Sequence, residues 1–86
     1  MTLRLADHVS LTGTGDGDVL LDERTGRYWQ LNATGSLVLR TLLDGGDDRR
    51  AVELLLADGD ADPDAVAADV AEVVGQLCSA GLAVRR

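Results

Sequence analysis

The decisive stretch runs from Asp18 to Gly35: Asp18-Val19-Leu20-Leu21-Asp22, Glu23-Arg24-Thr25-Gly26-Arg27, Tyr28-Trp29-Gln30-Leu31, then Asn32-Ala33-Thr34-Gly35. Val19 to Asp22 and Tyr28 to Leu31 are strand-length apolar runs, and the residues between them are turn formers, so the segment predicts a β-hairpin over about residues 18–31. After Leu31 the periodicity changes. Asn32 or Thr34 suits a helix N-cap, and Leu37, Val38, Leu42 and Leu43 recur at helical spacing until Asp44-Gly45-Gly46, which predicts a first helix over about 34–43.

Outward from this junction the remainder follows. Asp47 or Asp48 caps a second helix, about 48–57, with Ala51, Val52, Leu55 and Leu56 on one face. Pro63 sits where a third helix starts, behind the candidate cap Asp62 and before the acidic Asp64. That helix, about 63–80, places Val66, Val70, Val73, Val74 and Leu77 on one face by the 3.6-residue period, with Ala67, Ala71 and Cys78 widening it. Gly81 stops it, and residues 82–84 suit a short closing strand. Upstream, Leu3, Leu5, Val9 and Leu11 alternate with polar neighbours as a short strand, and Gly13, Gly15 and Gly17 read as a flexible turn.

The expected fold class is therefore α+β: a small winged-helix-like domain, with an N-terminal three-stranded antiparallel sheet followed by three helices. Its 86 residues leave room for one domain, residues 1–86. Fifteen acidic residues against eight arginines, with no lysine, give a net charge of −7. That sign repels phosphate, and the third helix, with Asp64, Asp69 and Glu72, has no basic residue to offer a DNA groove, so nucleic acid is excluded as a partner. The apolar runs, such as Leu54-Leu55-Leu56-Ala57, fall far short of the ~20 residues that cross a bilayer. A lone cysteine, Cys78, and no basic segment followed by an apolar stretch at the start predict a cytoplasmic protein. A monomer is expected.

Few residues suggest chemistry. His8 has no second histidine or cysteine near it in sequence, and Cys78 reads as an apolar filler on a helix. The string Asp58-Gly59-Asp60-Ala61-Asp62-Pro63-Asp64 opens like a calcium loop but puts proline at the sixth position and Asp69 at the twelfth, where such loops need glycine and glutamate. No nucleophile, base and oxyanion donor can be grouped, so neither catalysis nor a cofactor is expected. A small acidic carrier protein, modified at Ser36, is the competing reading, although glycine rather than aspartate precedes that serine. A winged-helix protein-interaction module is another. Tyr28 and Trp29 are consecutive on a strand, so they point to opposite faces, and a small core buries only one of them. Asp69 flanks the helix-three stripe, where it is solvated or receives a basic residue from Arg27, Arg40 or a partner.

Taken in order, Gly26-Arg27-Tyr28-Trp29-Gln30-Leu31-Asn32-Ala33-Thr34-Gly35, Leu42-Leu43-Asp44-Gly45, Asp69-Val70, Leu77 and Ala80-Gly81-Leu82 resemble the PqqD-like family of RiPP recognition elements, and the size resembles the stand-alone members of lasso-peptide biosynthesis. The resemblance implies a non-catalytic protein that binds the leader segment of a precursor peptide and presents it to a leader peptidase and a cyclase. In that family the leader adds as a strand to the third strand, in a groove closed by the third helix. Carried to this chain, the strand is Arg27, Tyr28, Trp29, Gln30 and Leu31, and the helix face is Val66, Asp69, Val70, Val73, Val74 and Leu77. The residues agree physically: a hairpin edge offers unpaired N–H and C=O groups to an extended peptide, and an apolar stripe offers pockets. The net charge favours leaders that carry basic residues.

Overall fold

The computed structural model describes every residue except Met1, Asp16, Asp58, Asp60 and Arg86. Its elements are β1 (Leu3–Leu5), β2 (Val9–Thr14), β3 (Gly17–Asp22), β4 (Tyr28–Leu31), α1 (Ala33–Leu43), α2 (Asp48–Leu56), α3 (Pro63–Ser79) and β5 (Ala83–Arg85). β2, β3 and β4 form an antiparallel three-stranded sheet in that order, and β1 pairs with β5 in a second, two-stranded sheet. The α+β class and the three helices are as the periodicity predicts.

The N-terminal segment departs from the sequence reading in two ways. Leu3 to Leu11 is not one strand. The chain turns at Ala6–His8, where the Val9 N–H donates to the Ala6 carbonyl at 3.0 Å, and the part before the turn pairs with the closing strand instead. The glycine-rich stretch is also more than a flexible turn: Gly13 lies opposite Asp18 and Thr14 opposite Gly17, so the two strands run almost to its tip. Gly17 has φ +151°, and a Cβ there would collide with the Leu31 carbonyl oxygen at the end of β4. Only glycine lets β3 cross that point.

The register sorts the sheet into two faces. Val9, Leu11, Leu20, Trp29 and Leu31 share the face that meets the helices, together with Asp18 and Asp22, while Val19, Leu21, Tyr28 and Gln30 share the other. Leu20 on the inner face is fully buried against α1, whose Val38, Leu39 and Leu42 are also without exposure. Val70 and Val74 of α3, Ala51 of α2 and Leu82 complete one continuous core.

The helix starts settle the alternatives that the sequence leaves open. Asn32, not Thr34, caps α1, its Oδ1 accepting the Gly35 N–H at 2.8 Å, and Asp47, not Asp48, caps α2 through the Arg50 N–H at 3.0 Å. Asp62 caps α3 with Pro63 in the first turn. This role takes Asp62 out of the calcium-like string, of which Asp58 and Asp60 lie outside the described residues. Among the described residues no helix is long and apolar enough to cross a membrane.

Candidate functional site

The β3–β4 turn sets the geometry of the sheet's outer strand. Gly26 adopts φ +76°, its N–H donates to the Asp22 carbonyl at 2.8 Å, and the Asp22 N–H donates to the Arg27 carbonyl at 2.8 Å. This is a glycine bulge: two residues, Gly26 and Arg27, oppose one, Asp22. From there antiparallel pairing alternates, so the backbone groups of Trp29 and Leu31 turn toward β3, and those of Tyr28 and Gln30 turn toward the open side. Among the described residues β4 pairs with β3 alone, which makes it an edge strand with outward-facing donors and acceptors.

Beside this edge lies a groove of about 230 Å³. Its strand side is Trp29, Gln30 and Leu31, its helix side is Val73, Gln76 and Leu77 of α3, and Asn32, Gly35 and Leu82 close it. Trp29 is 39% exposed and lines the groove, whereas Tyr28 is 73% exposed on the opposite face of the sheet. The structure thus resolves which aromatic faces α3.

The predicted helix face divides. Half-buried Val73 and the edge of the otherwise buried Leu77 line the groove, whereas Val66, Val70 and Val74 are buried in the core away from its lining. A stripe at helical period contains both the residues that meet α1 and those that meet the groove, and only the position of β4 separates them. Ala67 and Ala71 are exposed rather than part of the packed face. Asp69 is exposed one turn before Val73, outside the groove lining. Neither arginine considered for it is its partner. Arg40 grips Asp18 with Nε at 2.8 Å and Nη2 at 2.7 Å, and Arg27 lies over the Trp29 ring, 5.8 Å from its centroid.

Sequence reasoning did not single out Gln76 or Asn32 for the groove. Gln76 follows Val73 by three residues, so helical spacing alone places it on the neighbouring surface, and its side chain donates to Glu72 at 3.4 Å. Asn32 is drawn in by its capping role at the start of α1.

Two buried carboxylates hold the sheet to its surroundings. The Arg40 hydrogen bonds hold Asp18 below the usual carboxylate range against the opposing effect of burial. At Asp22 burial pushes the pKa up, but the Arg24 backbone N–H, with the charges of His8 and Arg24 nearby, brings it below its ordinary value. Ser36 is only 8% exposed within α1. A carrier arm needs a serine at the surface, so the structure removes the physical basis for the carrier reading.

Fold and groove together define a small α+β domain that presents an open strand edge beside an apolar helix wall. Residues 18–83 match the family described as coenzyme PQQ synthesis protein D (PqqD), and the chain belongs to that family. It is similar to a solved structure of lasso peptide synthetase B1 complexed with the leader peptide, at 34% identity over 99% of this chain and 100% of that one, with a TM-score of 0.91. It is also similar to TbiB1 in complex with the TbiA(beta) leader peptide, at 27% identity over 100% of this chain and 98% of that one, with a TM-score of 0.85. Among curated proteins none matches this chain at a significant level.

Proposed function

We propose that this protein binds the leader segment of a ribosomally made precursor peptide in lasso-peptide biosynthesis. The leader adds as a strand along β4, in the groove that α3 closes, and is presented there to a leader peptidase and a cyclase. The observation that carries this reading is the coincidence of a free β4 edge with an apolar groove beside it, since backbone pairing gives affinity to any extended chain and the groove selects among side chains. The similarity to two proteins solved with leader peptides supports it.

Trp29, Leu31, Val73 and Leu77 form the apolar part of this site, and the Tyr28 and Gln30 backbones supply the pairing groups. The protein acts by holding and presenting rather than by chemistry of its own. It works as one folding unit, residues 1–86, as a monomer in the cytoplasm.

The test is a fluorescence-polarisation titration with labelled leader peptides from precursor genes adjacent to this one. A charge at Val70 would fall inside the core, so the groove variant is Val73→Asp, at a half-buried position. Saturable binding at micromolar or tighter concentration is expected for the wild type, weakened at least about tenfold in Val73→Asp, with circular dichroism unchanged. No saturable binding by any of these leaders overturns the reading.

A further inference from the structure

Among the arginines of the described residues, Arg27 is the one that lies over an aromatic ring. Arg40 is paired with Asp18, Arg24 lies beside Asp22, and Arg50 lies beside Glu53. Like Arg4, Arg49 and Arg85, Arg27 has no ion pair among the described residues, although acids outnumber bases nearly two to one in the sequence. It is nevertheless held in place. Its N–H donates to Thr25 Oγ1 at 3.2 Å, its carbonyl accepts from the Asp22 N–H at 2.8 Å, and its guanidinium lies over the Trp29 ring at 5.8 Å. The ring is a groove wall, so the guanidinium lies next to it at the turn end of β4, just outside the groove lining.

An arginine stacked on an aromatic face keeps its planar fork of N–H donors free for a second partner, and that fork matches a carboxylate. Resting on the proposed peptide-binding role of the β4 groove, we propose that Arg27 is a specificity-determining residue. It receives an aspartate or glutamate side chain of the bound segment and so fixes the segment's register. The remaining surroundings reinforce this placement. α3 carries Asp69 and Glu72 exposed outside the groove lining, on the helix that forms its wall, and their charge disfavours an acidic side chain on that side relative to the Arg27 end. An acidic residue near Arg27 and basic residues along α3 then describe the ligand's charge pattern, which the net charge of −7 alone does not reveal.

The experiment uses the whole protein and the leader encoded beside its gene, synthesised as a series in which each position in turn is Glu, Gln or Lys. Binding is followed by polarisation and by the emission of Trp29, the chain's single tryptophan. For the wild type one position is expected to prefer Glu over Gln by about fivefold or more, in keeping with a charge-assisted contact at an exposed arginine. Arg27→Gln is expected to erase that preference while still binding. Arg27→Glu should reverse it, favouring Lys at the same position. A residue that only shielded the Trp29 ring would weaken every peptide alike and leave the ratios unchanged. Wild-type binding with no position coupled to residue 27 overturns the proposal alone. If the wild type binds no member of the series, strand addition itself fails and takes the proposal with it.

Discussion

Asp18 is 3% exposed, and its carboxylate is tied to Arg40 by two short hydrogen bonds that link β3 to α1. Because Arg40 lowers the folded-state pKa below the ordinary aspartate value of 3.8, the folded protein binds fewer protons than the unfolded chain in acid. The resulting stability is fully present above about pH 5 and is lost as the pH falls through 3.8 toward the folded value. Asp18→Asn is therefore expected to be less stable than the wild type at pH 7, and the gap should narrow by pH 3. Urea unfolding curves at several pH values measure it. Asp22 and Asp47, also held low, titrate in the same range in both proteins, so the difference between the curves isolates Asp18. A gap equal at pH 3 and pH 7 would show that Arg40 contributes nothing through charge. At the same corner of the fold Gly17 lets β3 pass the Leu31 carbonyl, so the end of β4 is located by residues that are remote from it in sequence.

β4 is four residues long and is paired along one side, so its worth as a site depends on which of its amides are free. The glycine bulge at Gly26 sets that phase, and it leaves the Gln30 N–H on the open side. Gln30→Pro is a sharp test. Proline at an edge strand with its nitrogen facing outward removes no bond of the sheet, and it favours an extended residue before it. The variant should keep its unfolding free energy within about 1 kcal/mol of the wild type, yet bind leader peptide about tenfold or more weakly by polarisation. Unchanged affinity would mean that the peptide does not pair with β4. Much of this element was legible in advance, because Val19 to Leu21 and Tyr28 to Leu31 are strand-length apolar runs flanking turn formers, and Asp47, Asp62 and Pro63 mark helix starts by chemistry that acts over a few residues. What could not be read depends on contacts far apart in the chain. Leu3–Leu5 pairs with Ala83–Arg85, which no local pattern announces. Val73 and Val74 are neighbours on one stripe, and only the placement of β4 puts the first beside the groove and the second in the core.

For the molecule as a whole, a net charge of −7 acts at distances where no single pair of residues matters. Exposed Asp64, Asp69 and Glu72 add to that field on the helix that forms the groove's wall, so a leader of net positive charge is drawn toward this face. Steering of this kind belongs to the association rate and is screened by salt, whose Debye length falls from about 10 Å at 0.1 M to about 3 Å at 1 M. Contacts made after docking, the apolar groove and the Arg27 guanidinium among them, belong to the dissociation rate. Stopped-flow mixing that follows Trp29 separates the two. The association rate of a basic leader is expected to fall several-fold between 0.1 M and 1 M salt, and the same leader with its basic residues changed to glutamine should associate more slowly and lose most of that dependence. Arg27→Gln should leave the salt dependence of association in place while shortening how long a basic leader with an acidic residue opposite Arg27 stays bound, because removing one cation from a chain already at −7 strengthens the long-range attraction for that leader and deletes only a local contact. An association rate indifferent to salt would mean that the surface charge serves solubility alone and that recognition is decided wholly within the groove.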